Sequence, residues 1–369
     1  MNQLFRWNQM GLFLLTLAAG ILPFAVPEVC AAALREGLAL CCGPLLLSLF
    51  PFLVVSRLLI QCPESDLLAL PFRLAAWGIG IRTPCAARVL CIGFLGGFAP
   101  AASAAAQAVR TGQLTAEEAD ALLPACICSG PSFVVLTVGQ SLLGSAELGV
   151  LLFASQITAN YLTAALLNRF AGVRSVKPES AAPASPAPPR LDEILADAAI
   201  TYCKLCGFIL FFRMLAAGAG ALLPAGAGTL CSVLLEVCSG CDLASRTGRW
   251  GSLLCCAALS VQGLSVLLQV RTICPPEMTL RPLYRSRLLH LPLSLALFYL
   301  LLPGGEADVF STLPARVLLM RRVPPDCALL VFAVCCMAAC TLRSGIRQVE
   351  QKQMARNAGG CCINSKTLL

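Results

Sequence analysis

Long uncharged stretches, most of them interrupted once by small polar residues, set the pattern of this chain. Apolar runs without a charge cover residues 10–27, 38–56, 89–109, 121–146, 148–168, 214–235 and 250–270. Crossing the hydrocarbon of a bilayer takes about 20 residues of helix, so these runs predict membrane helices. Residues 288–303 and 327–342 are shorter candidates flanked by arginine, and residues 198–212, which carry only Lys204, are expected to join the run at Met214 as one long helix. The run after Arg6 has the apolar character of a signal peptide. Its length and the lack of a small-residue cleavage site in a polar context favour an uncleaved first helix.

The interruptions come in two pairs. In the first half they are Gly93-Phe94-Leu95-Gly96-Gly97-Phe98-Ala99-Pro100 and Cys128-Ser129-Gly130-Pro131-Ser132. In the second they are Glu236-Val237-Cys238-Ser239-Gly240-Cys241 and Val261-Gln262-Gly263-Leu264-Ser265. Backbone freed inside a bilayer must find partners in protein or line a wet cavity. Interrupted segments in corresponding positions of two halves point to a transporter site between them.

A stretch rich in proline and alanine, residues 172–190, cannot pack and predicts an extended linker between the halves. The expected organisation is an N-terminal membrane helix (1–36), a first membrane repeat (37–171), the linker, a second repeat (191–303), a loop with a C-terminal membrane helix (304–342) and a basic tail (343–369). Each half carries Arg-Thr-Gly after its first interruption, at Arg110-Thr111-Gly112 and Arg246-Thr247-Gly248. Thr115 followed by Glu118 reads as a capping box that opens a short helix.

Composition sharpens the class. Of 369 residues, 58% are hydrophobic and 12% charged, which is far from a soluble domain and predicts a polytopic membrane protein. The net charge of +8 is scattered through loops and tail, the place of membrane-flanking charge, and no basic stripe with interleaved aromatics suggests nucleic acid. The 22 cysteines lie mostly inside apolar runs, where Cys behaves as a small hydrophobe. The pairs Cys203/Cys206 and Cys238/Cys241 lack a second pair at zinc spacing, and His290 is the single histidine, so neither metal nor cofactor is expected. With no nucleophile, base and orienter set in view, the chain does not read as an enzyme.

Broken helices expose unpaired N–H groups at the positive end of the next half-helix, which suits an anion or a carboxylate. The candidate substrate-binding residues are Gly96, Gly97, Ser129, Gly130, Ser132, Glu236, Ser239, Gly240, Gln262, Gly263 and Ser265. The competing reading is that small residues here only permit close helix packing. Glu236 is the lone acid of its apolar stretch, with Arg213 its natural counter-charge, and Glu236→Gln is expected to change turnover more than folding. Gln156 and Asn160 share one helix face, suited to a lined cavity or to interhelical bonds. His290, near a helix start beside Pro292, reads as topological or interfacial.

At its interruptions the chain resembles the YlbJ-type sporulation integral membrane proteins (stage V sporulation protein V) of endospore-forming bacteria. The residues that carry the resemblance are Pro44 through Pro51-Phe52, Gly96-Gly97 with Pro100, Glu117-Glu118-Ala119, Ser129-Gly130-Pro131-Ser132-Phe133, Leu235-Glu236-Val237 with Gly240, and Gln262-Gly263-Leu264-Ser265 with Gln269-Val270. The resemblance implies a nucleoside-recognition or gate domain similar to part of the concentrative nucleoside transporters, and export of dipicolinate from the mother cell across the outer forespore membrane. The amides expected before Ser-Gly-Pro are replaced by Cys126-Ile127-Cys128, which tilts the expected solute toward a compact dianion.

The expected fold is therefore an all-α polytopic membrane protein with two repeats of broken or re-entrant helices and a central site. The expected function is transport of a small anion, dipicolinate first, with a nucleoside transporter or a non-transporting membrane scaffold for spore envelope assembly as alternatives. The lipid bilayer is the other expected partner, and self-association stays open.

Overall fold

A computed structural model describes residues 2–61, 66–172 and 191–302. The linker, the candidate span at 327–342 and the basic tail lie outside the described residues. Within them the chain is helical throughout, without a strand. In order the helices are α1 (Asn2–Ala25), α2 (Pro27–Cys42), α3 (Pro44–Gln61), α4 (Leu70–Gly78), α5 (Pro84–Gly96), α6 (Phe98–Arg110) and α7 (Ala116–Cys126). A π-helix (Ser132–Leu142) follows, then α8 (Ala146–Ala171), α9 (Leu191–Leu222), α10 (Ala225–Leu235), α11 (Val237–Ser245), α12 (Gly251–Val261), α13 (Gly263–Ile273) and α14 (Arg281–Leu301).

Three helical stretches, Ala146–Ala171, Leu191–Leu222 and Gly248–Ile273, are long and apolar enough to cross a membrane, consistent with an integral membrane protein. A fourth is reached if Leu15–Ala25 and Pro27–Cys42, bent by 109°, count as one span. The joined run 198–235 resolves as expected into the single long helix α9, followed by α10 after a break at Pro224. Several runs that hydropathy alone would draw as straight spans are not. The stretch 38–56 is divided at Gly43, and 89–109 at Gly97, because glycine and the proline that follows each break admit a change of direction.

The interrupted runs behave in two ways. α5 and α6 fold back and pack on each other, as do α10 and α11. With 9 to 13 residues apiece, these helices reach only about 14–20 Å at 1.5 Å per residue, short of a roughly 30 Å hydrocarbon core. α12 instead runs on into α13, and α7 runs through residues 127–131 into the π-helix without the two packing side by side. α6 is alanine-rich and almost wholly buried. Its small side chains let α3, α5, α7 and α13 approach closely, the usual means of helix association where the surroundings are as apolar as the side chains.

Local chemistry fixes the ends. Thr115 Oγ1 accepts from the Glu118 N–H at 3.1 Å while Glu118 accepts from the Thr115 N–H at 3.2 Å, the capping box read from the sequence. Ser145 caps α8 by accepting from Leu148 N–H at 3.2 Å. Both Arg-Thr-Gly segments end a helix, with Gly112 and Gly248 in the left-handed region at φ 71° and 67°.

One closing contact runs between distant parts of the chain. The buried Asp120 carboxylate accepts from Thr279 N–H (2.8 Å), Thr279 Oγ1 (2.6 Å) and Leu280 N–H (3.1 Å) and so holds the start of α14. Leu280 sits there at φ 56°, a conformation that a branched side chain adopts only when held. Asp120→Asn leaves an amide NH2 facing one of these donors and is expected to cost about 1–2 kcal/mol, read as a lowered midpoint of thermal unfolding in detergent. An unchanged midpoint would show that Asp120 does not anchor α14.

Candidate functional site

The four interruptions meet in the interior. Gly97, at φ 81° and ψ −163°, turns the chain from α5 into α6. A Cβ built there would lie 2.6 Å from Gly130 N and 2.9 Å from Gly130 Cα, so the two backbones cross with no room for a side chain. The second half makes the same kind of crossing. A Cβ on Gly263, at φ 70°, would lie 2.9 Å from Glu236 N and 3.0 Å from the Leu235 carbonyl carbon. Gln262 just before it is also left-handed, at φ 62°. Its side chain then links the halves, donating from Nε2 to the Ile127 carbonyl at 3.2 Å.

Between these crossings lies a cavity of about 60 Å³. Gly96, Ser129, Gly130 and Ser132 line it from the first half, and Glu236, Cys238 and Gln269 from the second. Leu45 and Leu49 of α3 and Ile209 of α9 close it with apolar surface. Five candidate residues therefore line the cavity directly: Gly96, Ser129, Gly130, Ser132 and Glu236. The others stand around it. Gly97 and Gly263 form the crossings, and Gln262 bridges to Ile127. Ser265 Oγ accepts from Gln269 Nε2 at 2.9 Å. A Cβ on Gly240 would lie 2.8 Å from Val233 Cα, so this glycine serves the close packing of α10 on α11, as the small-residue reading holds. Ser239 belongs to the binding of Glu236.

Glu236 is buried, and its carboxylate caps α11. Oε1 accepts from Cys238 N–H at 2.9 Å, and Oε2 from Ser239 N–H at 2.7 Å and Ser239 Oγ at 2.9 Å. The positive end of α11 is thus filled by the chain's own carboxylate. The first turns of α6, the π-helix and α13 carry no side-chain cap. Arg213, expected as the counter-charge of Glu236, lies within its electrostatic reach but makes its direct ion pair elsewhere, Arg213 Nη2 meeting Glu36 Oε2 of α2 at 2.7 Å. Sequence distance hid this partner, since Glu36 lies in another element.

The polar residues of α8 make interhelical bonds. Gln156 Nε2 donates to Ser260 Oγ at 2.9 Å and to the Cys256 carbonyl at 3.3 Å. Asn160 Nδ2 donates to the Ile127 carbonyl at 3.2 Å, so that this oxygen receives two amides. His290 is not interfacial but wholly buried, its Nε2 3.2 Å from the Gln156 carbonyl, because α14 turns that face toward α8. Arg287, one turn earlier on the same face, is also buried and did not stand out in the sequence. Its only signal was a charge placed three residues before His290. The amide oxygens Gln262 Oε1 and Gln269 Oε1 are buried without a hydrogen-bond donor.

Among the described residues no group of three or more His, Cys, Asp or Glu is placed to hold a metal ion. None of the four cysteines of the two Cys-x-x-Cys pairs forms a disulfide among the described residues. Compared with known proteins, the chain matches no family model, no curated protein and no solved structure.

Proposed function

We propose that this chain is a membrane carrier that binds a small solute at the centre of two structural repeats. The observation that carries the reading is the meeting of four helix interruptions, two from each half, around a partly open cavity. Apart from α4, which has no counterpart in the second half, each half follows one order: a long helix (α3, α9), a folded-back pair (α5/α6, α10/α11), an interrupted run (α7 with the π-helix, α12 with α13) and a closing helix (α8, α14). This is the arrangement expected of a gate domain like that of the concentrative nucleoside transporters. A membrane scaffold needs neither paired interruptions nor a cavity between them.

An anionic solute is favoured by the half-helix N-termini at Ser132 and Gly263, whose first turns carry no side-chain cap. Dipicolinate as that anion, and the outer forespore membrane as the location, rest on the resemblance at Ser129-Gly130-Pro131-Ser132 and its companion motifs. One observation favours the nucleoside alternative. Glu236 and the Gln269 amide in the cavity wall offer oxygens to which ribose hydroxyls donate.

Purified protein in proteoliposomes tests both levels. Uptake of labelled dipicolinate above protein-free vesicles, displaced more strongly by unlabelled dipicolinate than by uridine or adenosine, is the expected result. Stronger displacement by the nucleosides would replace the solute and keep the carrier. Uptake equal to that of empty vesicles for all of them would overturn the carrier reading.

A further inference from the structure

Arg287 differs from three other inward-facing cations among the described residues. Arg57 meets Asp197 at 2.6 Å, Arg88 meets Asp66 at 3.2 Å and Arg213 meets Glu36 at 2.7 Å. Arg287 is only 8% exposed, and its hydrogen-bond partners are all neutral. Nη2 donates to Asn160 Oδ1 at 3.0 Å, to Ser286 Oγ at 3.2 Å and, weakly, to the Pro124 carbonyl at 3.4 Å, and Nε donates to Ser286 Oγ at 3.2 Å. Among the described residues Nη1 is buried with no hydrogen-bond partner. A buried charge without a counter-charge is costly, so it is retained where something else answers it.

The elements packed on α14 do not supply the answer. α14 packs against α7, α8 and α12. On α7, Glu117 is exposed, Asp120 is held by Thr279 and Leu280, and Glu118 by the capping box with Thr115 and by Thr83 Oγ1 at 2.7 Å. α8 carries its charges, Glu147 and Arg169, in its end turns, and α12 carries none. On α14 itself Arg281 and Arg285 are exposed, and His290 presents a second orphan atom, Nδ1. Across the cavity, Glu236 is already answered by three hydrogen bonds and the positive end of α11, with Arg213 within electrostatic reach. Among the described residues the unanswered interior charge is therefore positive.

Its place matters. Arg287 lies within electrostatic reach of Cys128, whose neighbour Ser129 lines the cavity, and through Asn160 it is tied to the Ile127 carbonyl in the same unwound segment. Away from water and salt, a charge acts over such distances with little screening. Resting on the carrier reading above, we propose that Arg287 is the specificity-determining charge of this site. From behind the wall formed by residues 127–129 it sets a preference for carboxylate-bearing solutes over neutral ones of the same shape. It is a positioning residue that acts through the wall.

The test compares Arg287→Lys, Arg287→Met and Asn160→Asp with the parent, all as full chains in proteoliposomes. The reading is the ratio of apparent affinities for pyridine-2,6-dicarboxylate and its neutral diamide. Asn160→Asp exchanges the bond to Ile127 for a carboxylate beside Arg287 and so answers the charge without removing it. Arg287→Met and Asn160→Asp are each expected to lower the ratio about tenfold or more, a factor that corresponds to 1.4 kcal/mol, and Arg287→Lys to keep it within about threefold of the parent. A ratio unchanged in Asn160→Asp, or equal losses for both compounds in every variant, would overturn the proposal. If Arg287→Met does not fold, Asn160→Asp and Arg287→Lys decide alone. A parent that transports neither compound refutes the carrier. The same ratio, read as dicarboxylate- against diamide-dependent thermal stabilisation in detergent, then still judges Arg287.

Discussion

Gly97→Ala is expected to remove most folded protein from the membrane, or to lower its stability by about 2–6 kcal/mol. Two effects add. At φ 81° and ψ −163° the residue occupies a region open in practice only to glycine, which costs a side chain about 1–3 kcal/mol. The added methyl would also sit 2.6 Å from Gly130 N, a backbone atom that cannot swing aside as a side chain end can. Overpacking of that kind costs a further 1–3 kcal/mol or thereabouts. Gly112→Ala is the comparison. It shares a positive φ of 71° but has open space around it, so only the conformational cost of about 1–2 kcal/mol remains. Thermal unfolding of the two variants side by side separates crossing from conformation, and equal midpoints would mean that the Gly97–Gly130 crossing is not tight.

Glu236→Gln is expected to lose stability and transport together, with a loss of about 1–5 kcal/mol in the first. Both carboxylate oxygens accept N–H bonds from the first turn of α11, and a glutamine has one oxygen for the two places. Its NH2 would face a backbone donor, leaving that donor unsatisfied at about 1–3 kcal/mol. Loss of the negative charge at the helix N-terminus adds roughly 0.3–2 kcal/mol. The sequence suggested an effect on turnover more than on folding. The capping geometry gives the acid a part in folding as well. A variant with the parent's melting midpoint would show that the cap is dispensable, and parental uptake by that variant would remove Glu236 from the site.

What the sequence made legible were places where the backbone changes direction. Gly97, Gly130, Glu236 and Gly263 stood out because a small or polar residue weakens an apolar run unless the chain bends or packs closely there. Thr115 with Glu118 stood out because both partners of a capping box lie in one turn. What stayed hidden were partners. Arg213 meets Glu36, Asp120 meets Thr279 and Leu280, and Arg287 meets Asn160, each across more than a hundred residues of chain. A hydrophobic pattern fixes which face turns inward but not which residue waits there. The π-helix at Ser132–Leu142 was equally hidden. Its run of valine and leucine reads as an ordinary apolar helix, and the wider winding accompanies close packing on α8, where a Cβ on Gly139 would lie 2.4 Å from Gly149 Cα.

The Ile127 carbonyl receives one amide from Asn160 and another from Gln262, which begin in different halves of the chain. A motion that draws the two unwound segments apart releases the Gln262 bond and leaves the Asn160 bond, which lies within the first half, in place. The carbonyl oxygen therefore keeps a donor on either side of such a motion, and parting the halves does not leave it bare.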